Sequence, residues 1–158
     1  MDDQRWYIVE TAPEHIPFVA QFMRQADLNE IAAAGRPDPY EALWNSWQMS
    51  EKAYTVFIDE DPALIFGVVR SSLLEYRGVV WMLGTDALAE LGMSKRVRYE
   101  MFRQLSALVE GYRYVENYVH DRNEVSKRWL EWMGFDLHEP VPYGPQGEPF
   151  RHFELRIH

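Results

Sequence analysis

Hydrophobic and polar positions along this chain fall into blocks whose period switches between two residues and about 3.6, the signatures of strands and of helices. Trp6-Tyr7-Ile8-Val9 is a short apolar run of strand type. Thr11-Ala12-Pro13-Glu14 then has the spacing of a capping box with proline in the first turn, and Phe18, Val19, Phe22 and Met23 follow at one-turn intervals, which predicts a helix. A second short helix is expected over residues 27–34, ended by Gly35. Asp38-Pro39-Tyr40-Glu41 repeats the cap, and Tyr40, Leu43, Trp44 and Trp47 recur at helical spacing, so a third amphipathic helix follows.

The chain then turns to strands. Residues 54–58 and 63–69 are apolar, β-branched runs separated by Asp59-Glu60-Asp61-Pro62, whose turn chemistry predicts a hairpin. A turn around residues 75–78 leads to Val79-Val80-Trp81-Met82-Leu83, continuous rather than alternating, as expected of a strand covered on both faces at the middle of a sheet. The cleanest helical period begins near Ser94, with the stripe Val97, Met101, Phe102, Leu105, Leu108, Val109 and Tyr112, and Gly111 closes it. Residues 114–119 read as the next strand. Asn123 or its neighbour caps a helix with apolar positions at Val125, Trp129, Trp132 and Met133, Gly134 ends it, and Phe135-Asp136-Leu137 opens another strand. Residues 140–149 hold four prolines and two glycines, which predicts a loop or long hairpin connection before a final alternating strand over residues 150–157. The pattern predicts an α/β fold, a mixed sheet with helices on both faces, in one domain over residues 1–158.

Composition narrows the function. The 158 residues suffice for one core, and 47% hydrophobic with 15% aromatic residues excludes disordered and collagen-like classes. Sixteen basic against 25 acidic residues give a net charge of −9, the wrong sign for a protein that binds nucleic acid or anionic lipid through its overall charge. The absence of cysteine removes disulfides, thiolate metal sites and cysteine nucleophiles. No apolar run approaches the ~20 residues that span a bilayer, and Met1-Asp2-Asp3-Gln4-Arg5 leads into no signal-like segment, so neither a membrane span nor secretion is expected. His15, His138, His152 and His158 show no helical pairing and no regular spacing with carboxylates, and no metal site is expected.

Two groups of residues are candidates for chemistry. Lys95, Arg96 and Arg98 crowd the first turn of the helix near Ser94, where the macrodipole favours acids and an anionic ligand would compensate. Arg98 falls on the apolar side and the other two off it; the alternative use is an arginine snorkelling over core beside two solvated charges. Asp86 follows the central strand, and His120 and Asp121 follow the next one. Any of the three could act as a general base, against the alternative of loop polarity and helix capping. The tryptophans on helical stripes are expected in the core; exposed together they would mark a protein-binding surface.

Asn123-Glu124-Val125-Ser126 followed by Trp129-Leu130-Glu131-Trp132-Met133-Gly134-Phe135, within the order strand, long helix, strand, short helix, strand over roughly residues 54–157, resembles the N-acetyltransferase superfold known as GNAT. The stretch from Val80-Trp81-Met82-Leu83-Gly84-Thr85-Asp86 through Asn117-Tyr118-Val119 to Met133-Gly134-Phe135 is most similar to the small GNAT-like internal virion protein A family of short-tailed lytic phages. The resemblance implies a GNAT-like mixed, mostly antiparallel central sheet. For an active member it implies acetyl-CoA held by Gly92, Ser94, Lys95, Arg96, Arg98 and Asn123, with Asp86 or His120 as base.

Two departures weigh against activity. The pyrophosphate loop of active members, Arg/Gln-x-x-Gly-x-Gly/Ala, reads Leu91-Gly92-Met93-Ser94-Lys95-Arg96 here, and the proton-donating tyrosine four residues before the glycine of Gly-Phe is Leu130. The expectation is therefore a degenerate GNAT-like protein without cofactor. It would act through contacts with a phage virion or host protein, in the virion or the infected host cytoplasm. The alternatives are an active acyl-CoA-dependent N-acetyltransferase and an acidic inhibitor of a host protein.

Overall fold

A computed structural model of the chain describes residues 6–91 and 94–158. Strand β1 (Trp6–Glu10) leads through a single 3-10 turn (Pro13–His15) to three helices, α1 (Ile16–Gln21), α2 (Gln25–Ala33) and α3 (Pro39–Met49). Then come β2 (Lys52–Ile58), β3 (Asp61–Ser72), β4 (Arg77–Gly84), the short α4 (Leu88–Leu91), α5 (Lys95–Leu108), β5 (Tyr114–His120), α6 (Glu124–Trp132), β6 (Asp136–Tyr143) and β7 (Glu148–Arg156). The strands form one seven-stranded sheet in the order β1-β2-β3-β4-β5-β7-β6. Every neighbouring pair is antiparallel except β4 with β5, which α4 and α5 connect; a parallel pair requires such a crossover. The mixed sheet with β4 at its centre is as the apolar pattern predicts.

Side chains alternate across the sheet into two cores. Ile65 and Leu83 face α1, α2 and α3, where they meet Ile16, Val19, Ile31 and Leu43. Leu64, Phe66, Val80 and Val115 point the other way, toward Val97, Met101, Leu105 and Leu108 of α5 and toward Trp129 and Leu130 of α6. Ser94 caps α5 by accepting a hydrogen bond from Val97 N, and Asn123 caps α6 by accepting one from Ser126 N.

The structure corrects several local expectations. Thr11 does not cap the first helix; its hydroxyl accepts from Thr55 Oγ1, and Ala12 N donates to His15 Nδ1 instead. Phe22, Phe102 and Val125 are about half exposed despite their helical spacing, because each lies at the rim of its stripe where one extra position turns out to solvent. Of the two readings for residues 140–149 the structure has the hairpin and not the loop: β6 runs to Tyr143, only residues 144–147 turn, and β7 returns antiparallel. Pro140 and Pro142 are tolerated there because β6 is an edge strand and pairs on one side only. The hairpin after β2 is tighter than expected: Asp59 and Glu60 both take positive φ, as a two-residue turn of primed type requires, and Pro62 already belongs to β3.

The assignment of α5 faces is testable. Leu105→Ala, in the core, should destabilise by about 2–5 kcal/mol, whereas Arg103→Ala, on the solvent face beside Glu100, should stay within about 0.5 kcal/mol of the parent. Equal losses in urea unfolding would contradict the assigned face.

Candidate functional site

The two central parallel strands part company early. β4 and β5 are paired only at Arg77–Val79 against Tyr114–Glu116, although β4 continues to Gly84 and β5 to His120. Beyond the last rung lies a cavity of about 590 Å³, lined by residues 80–83 of β4 and 116–119 of β5, with Leu130 of α6 and Met133 just after it, Glu30 of α2 and Tyr143 of β6. Its walls are mainly apolar, drawn from both cores.

Strand edges that separate leave polar backbone groups to be satisfied, and here the chain satisfies them itself. Asn117 Nδ2 donates to Val80 O at 2.8 Å across the gap, and Asn117 Oδ1 accepts from Tyr118 N at 2.8 Å. One alternate residue further along β5, His120 N donates to Glu30 Oε1 at 2.9 Å.

A buried polar cluster closes the wide end of the cleft. Asp27, wholly buried, accepts from Arg24 Nε at 2.8 Å, from Gly84 N at 2.9 Å and from Asn123 Nδ2 at 3.2 Å. Arg24 Nη2 donates to Ser126 Oγ at 2.7 Å, and Asn123 Nδ2 also reaches Glu30 Oε1 at 3.2 Å. The cluster therefore ties the end of β4, through Gly84, to the start of α6 and the end of β5. Burial first, and the neighbouring Asp27 charge second, push the Glu30 carboxyl up to about 7.

The residues singled out from sequence meet different fates. Asn123 stands at the cleft, but its amide is engaged by Asp27 and Glu30 and its oxygen by the α6 cap. His120 is buried and its ring pairs with Glu148 at 3.1 Å. Asp121 pairs with Arg151 and Lys127, and Asp86 is exposed in the turn after β4. Arg98 lies over the Trp132 ring at 4.8 Å, which uses its charge within the fold. Lys95 and Arg96 are exposed on the first turn of α5, and Ser94 is spent as its cap. Gly92 lies outside the described residues. Glu30, Asp27, Arg24 and Asn117 are the site residues that sequence reasoning missed, because nothing in the local pattern distinguishes them from polar positions on a helix or strand.

This architecture recurs in solved structures. The acetyltransferase of the GNAT family from Streptococcus pneumoniae superposes with a TM-score of 0.65 at 13% identity, covering 97% of this chain and 99% of that one. The chain has the GNAT fold. The same GNAT architecture is shared with yncA from Salmonella typhimurium, solved with its cofactor acetyl-CoA (TM-score 0.71, 13% identity, 98% and 95% of the two chains). It is shared too with spermidine N-acetyltransferase from Vibrio cholerae in complex with CoA and spermine (TM-score 0.66, 11% identity, 96% and 95%). No family model and no curated protein matches the sequence. The GNAT identification thus concerns architecture: a mostly antiparallel sheet whose one parallel pair splays. Among the described residues no helix is long and apolar enough to cross a membrane.

Proposed function

We propose that this chain uses the GNAT fold as a scaffold for protein–protein contact, as a component of a phage particle, and that it transfers no acyl group. The observation that carries this reading is the state of the cleft. Coenzyme A bears a pantetheine arm with two amides, which need hydrogen-bonding partners when taken from water. Val80 O, Tyr118 N and His120 N are already bonded to Asn117 and Glu30, and Leu130, at the position of the family's proton donor, is buried in the core. The cofactor fits these residues poorly. Exposed Tyr99 and Phe102 on the outer face of α5, together with Leu73 and Leu74 in the β3–β4 turn, are apolar surface of the kind that protein contacts use. The phage assignment rests on the sequence resemblance around residues 80–86, 117–119 and 133–135. Mass spectrometry of purified particles tests it: the chain is expected among the virion proteins, and its presence in the infected-cell lysate but not in particles would refute the assignment.

One observation favours a second reading, an acyl-CoA-dependent N-acyltransferase acting on an amine of a small molecule or host protein. Glu30 lines the cavity, and a carboxyl pushed up to about 7 has the proton affinity of a general base near neutral pH. Acetyl-CoA consumption that disappears in Glu30→Gln would establish this reading against the first.

A further inference from the structure

Two of the histidines that look scattered along the sequence meet in space. His138 of β6 and His152 and Glu154 of β7 present ligand atoms that all lie within 4.8 Å of one another. The local cause is a register shift between Leu137 and Pro140, which sets His138 and Glu139 together opposite the single residue His152. His138 Nε2 contacts the Glu154 carboxylate, and the two imidazoles stack at 5.4 Å between centroids, inclined by 17°. Behind this group, Glu116 Oε1 lies 2.7 Å from His152 Nε2, with Arg77 3.8 Å from its other oxygen. His138 is half exposed, whereas His152 and Glu154 are mostly covered.

We propose that His138, His152 and Glu154 form a binding site for a divalent first-row transition-metal ion, with Glu116 orienting His152 from outside the coordination sphere. Bonds of about 2.0–2.2 Å in a tetrahedral site set ligand atoms roughly 3.3–3.5 Å apart, so side-chain rotation alone brings these three to a shared ion. Two imidazoles and one carboxylate suit zinc, cobalt, nickel or copper better than magnesium or calcium. A carboxylate holding a ligating histidine is the usual supporting arrangement around such sites. Three protein ligands leave a further position on the exposed side, beside His138. The ion would tie the edge strand β6 to β7. Because β6 also carries Tyr143, which stacks on Tyr118 at 4.4 Å and lines the cavity, it would steady one wall of the cleft. The site stands whether the cleft is a scaffold or a catalyst.

Calorimetric titration of the full chain, stripped with chelator, with Zn²⁺ near neutral pH tests the proposal, with Co²⁺ absorption reporting coordination. One ion per chain is expected, lost in His138→Ala, weakened about 10–100-fold in Glu116→Gln and unchanged in His158→Ala. Melting of His138→Ala in chelator should match the parent in chelator, which separates loss of the ligand from loss of the fold. No saturable binding in excess Zn²⁺, or binding that survives both His138→Ala and His152→Ala, would overturn the assignment.

Discussion

Asp27→Ala should destabilise the protein by about 3–5 kcal/mol, more than any other single polar substitution in the cleft. Asp27 is wholly buried, and its carboxylate serves three donors: Arg24, Gly84 N and Asn123. Truncation leaves the buried Arg24 guanidinium its hydrogen bond to Ser126 but not its carboxylate partner, and leaves Gly84 N without its acceptor. Removing one partner of a buried pair costs the desolvation of the other as well as the lost bonds. Asp27→Asn should cost less, since it keeps an acceptor for Gly84 N but not the charge that balances Arg24. Urea midpoints for the two variants give the comparison; equal small losses would mean that the cluster does not hold β4 to α6.

Glu30→Gln should stabilise the protein, and only at higher pH. The folded carboxyl is pushed up to about 7 from an ordinary value of 4.5, so the folded state holds its proton more tightly than the unfolded chain does. Stability from this group is therefore complete below about pH 4.5 and is lost as the pH rises to about 7. Above that range the parent carries a partly buried charge beside Asp27, while glutamine keeps an oxygen for His120 N and Asn123 without the charge. The expected gain is about 1–3 kcal/mol near pH 8, vanishing near pH 4.5. A gain independent of pH, or a loss at about pH 8, would show that Glu30 is ionised at no cost.

The fold is legible in the sequence wherever one face of an element is buried by a regular period. Val97, Met101, Leu105 and Leu108 mark the inner face of α5, and the unbroken run at residues 79–83 marks the central strand. Legibility fails where tertiary partners override local chemistry. The prolines of β6 read as loop residues because a sequence does not announce which strand is the edge, and Thr11 reads as a cap because its competing partner, Thr55, is 44 residues away. The cleft was the least legible feature. Its polar cluster joins Arg24 to Ser126 and Asp27 to Asn123, pairs 102 and 96 residues apart, and its cavity exists because β4 and β5 diverge, which no short-range pattern encodes. Asn123 was found because a cap has a local signature; Glu30 has none. The two histidines of the proposed metal site escaped for the same reason, since a bulge between strands brings them together.

Binding of acetyl-CoA tests the central claim most directly. A GNAT cleft with its polar edge free, at ligand about 100 times above its dissociation constant, would gain about 2.7 kcal/mol, and the melting temperature of a chain this size would rise by roughly 5–11 °C. With Val80 O, Tyr118 N and His120 N already engaged and Leu130 in the proton donor's position, the expected rise at millimolar acetyl-CoA is below about 2 °C. A rise within the larger range that disappears in an Arg96→Ala, Arg98→Ala double variant would contradict the scaffold reading and make the chain a coenzyme A-binding transferase.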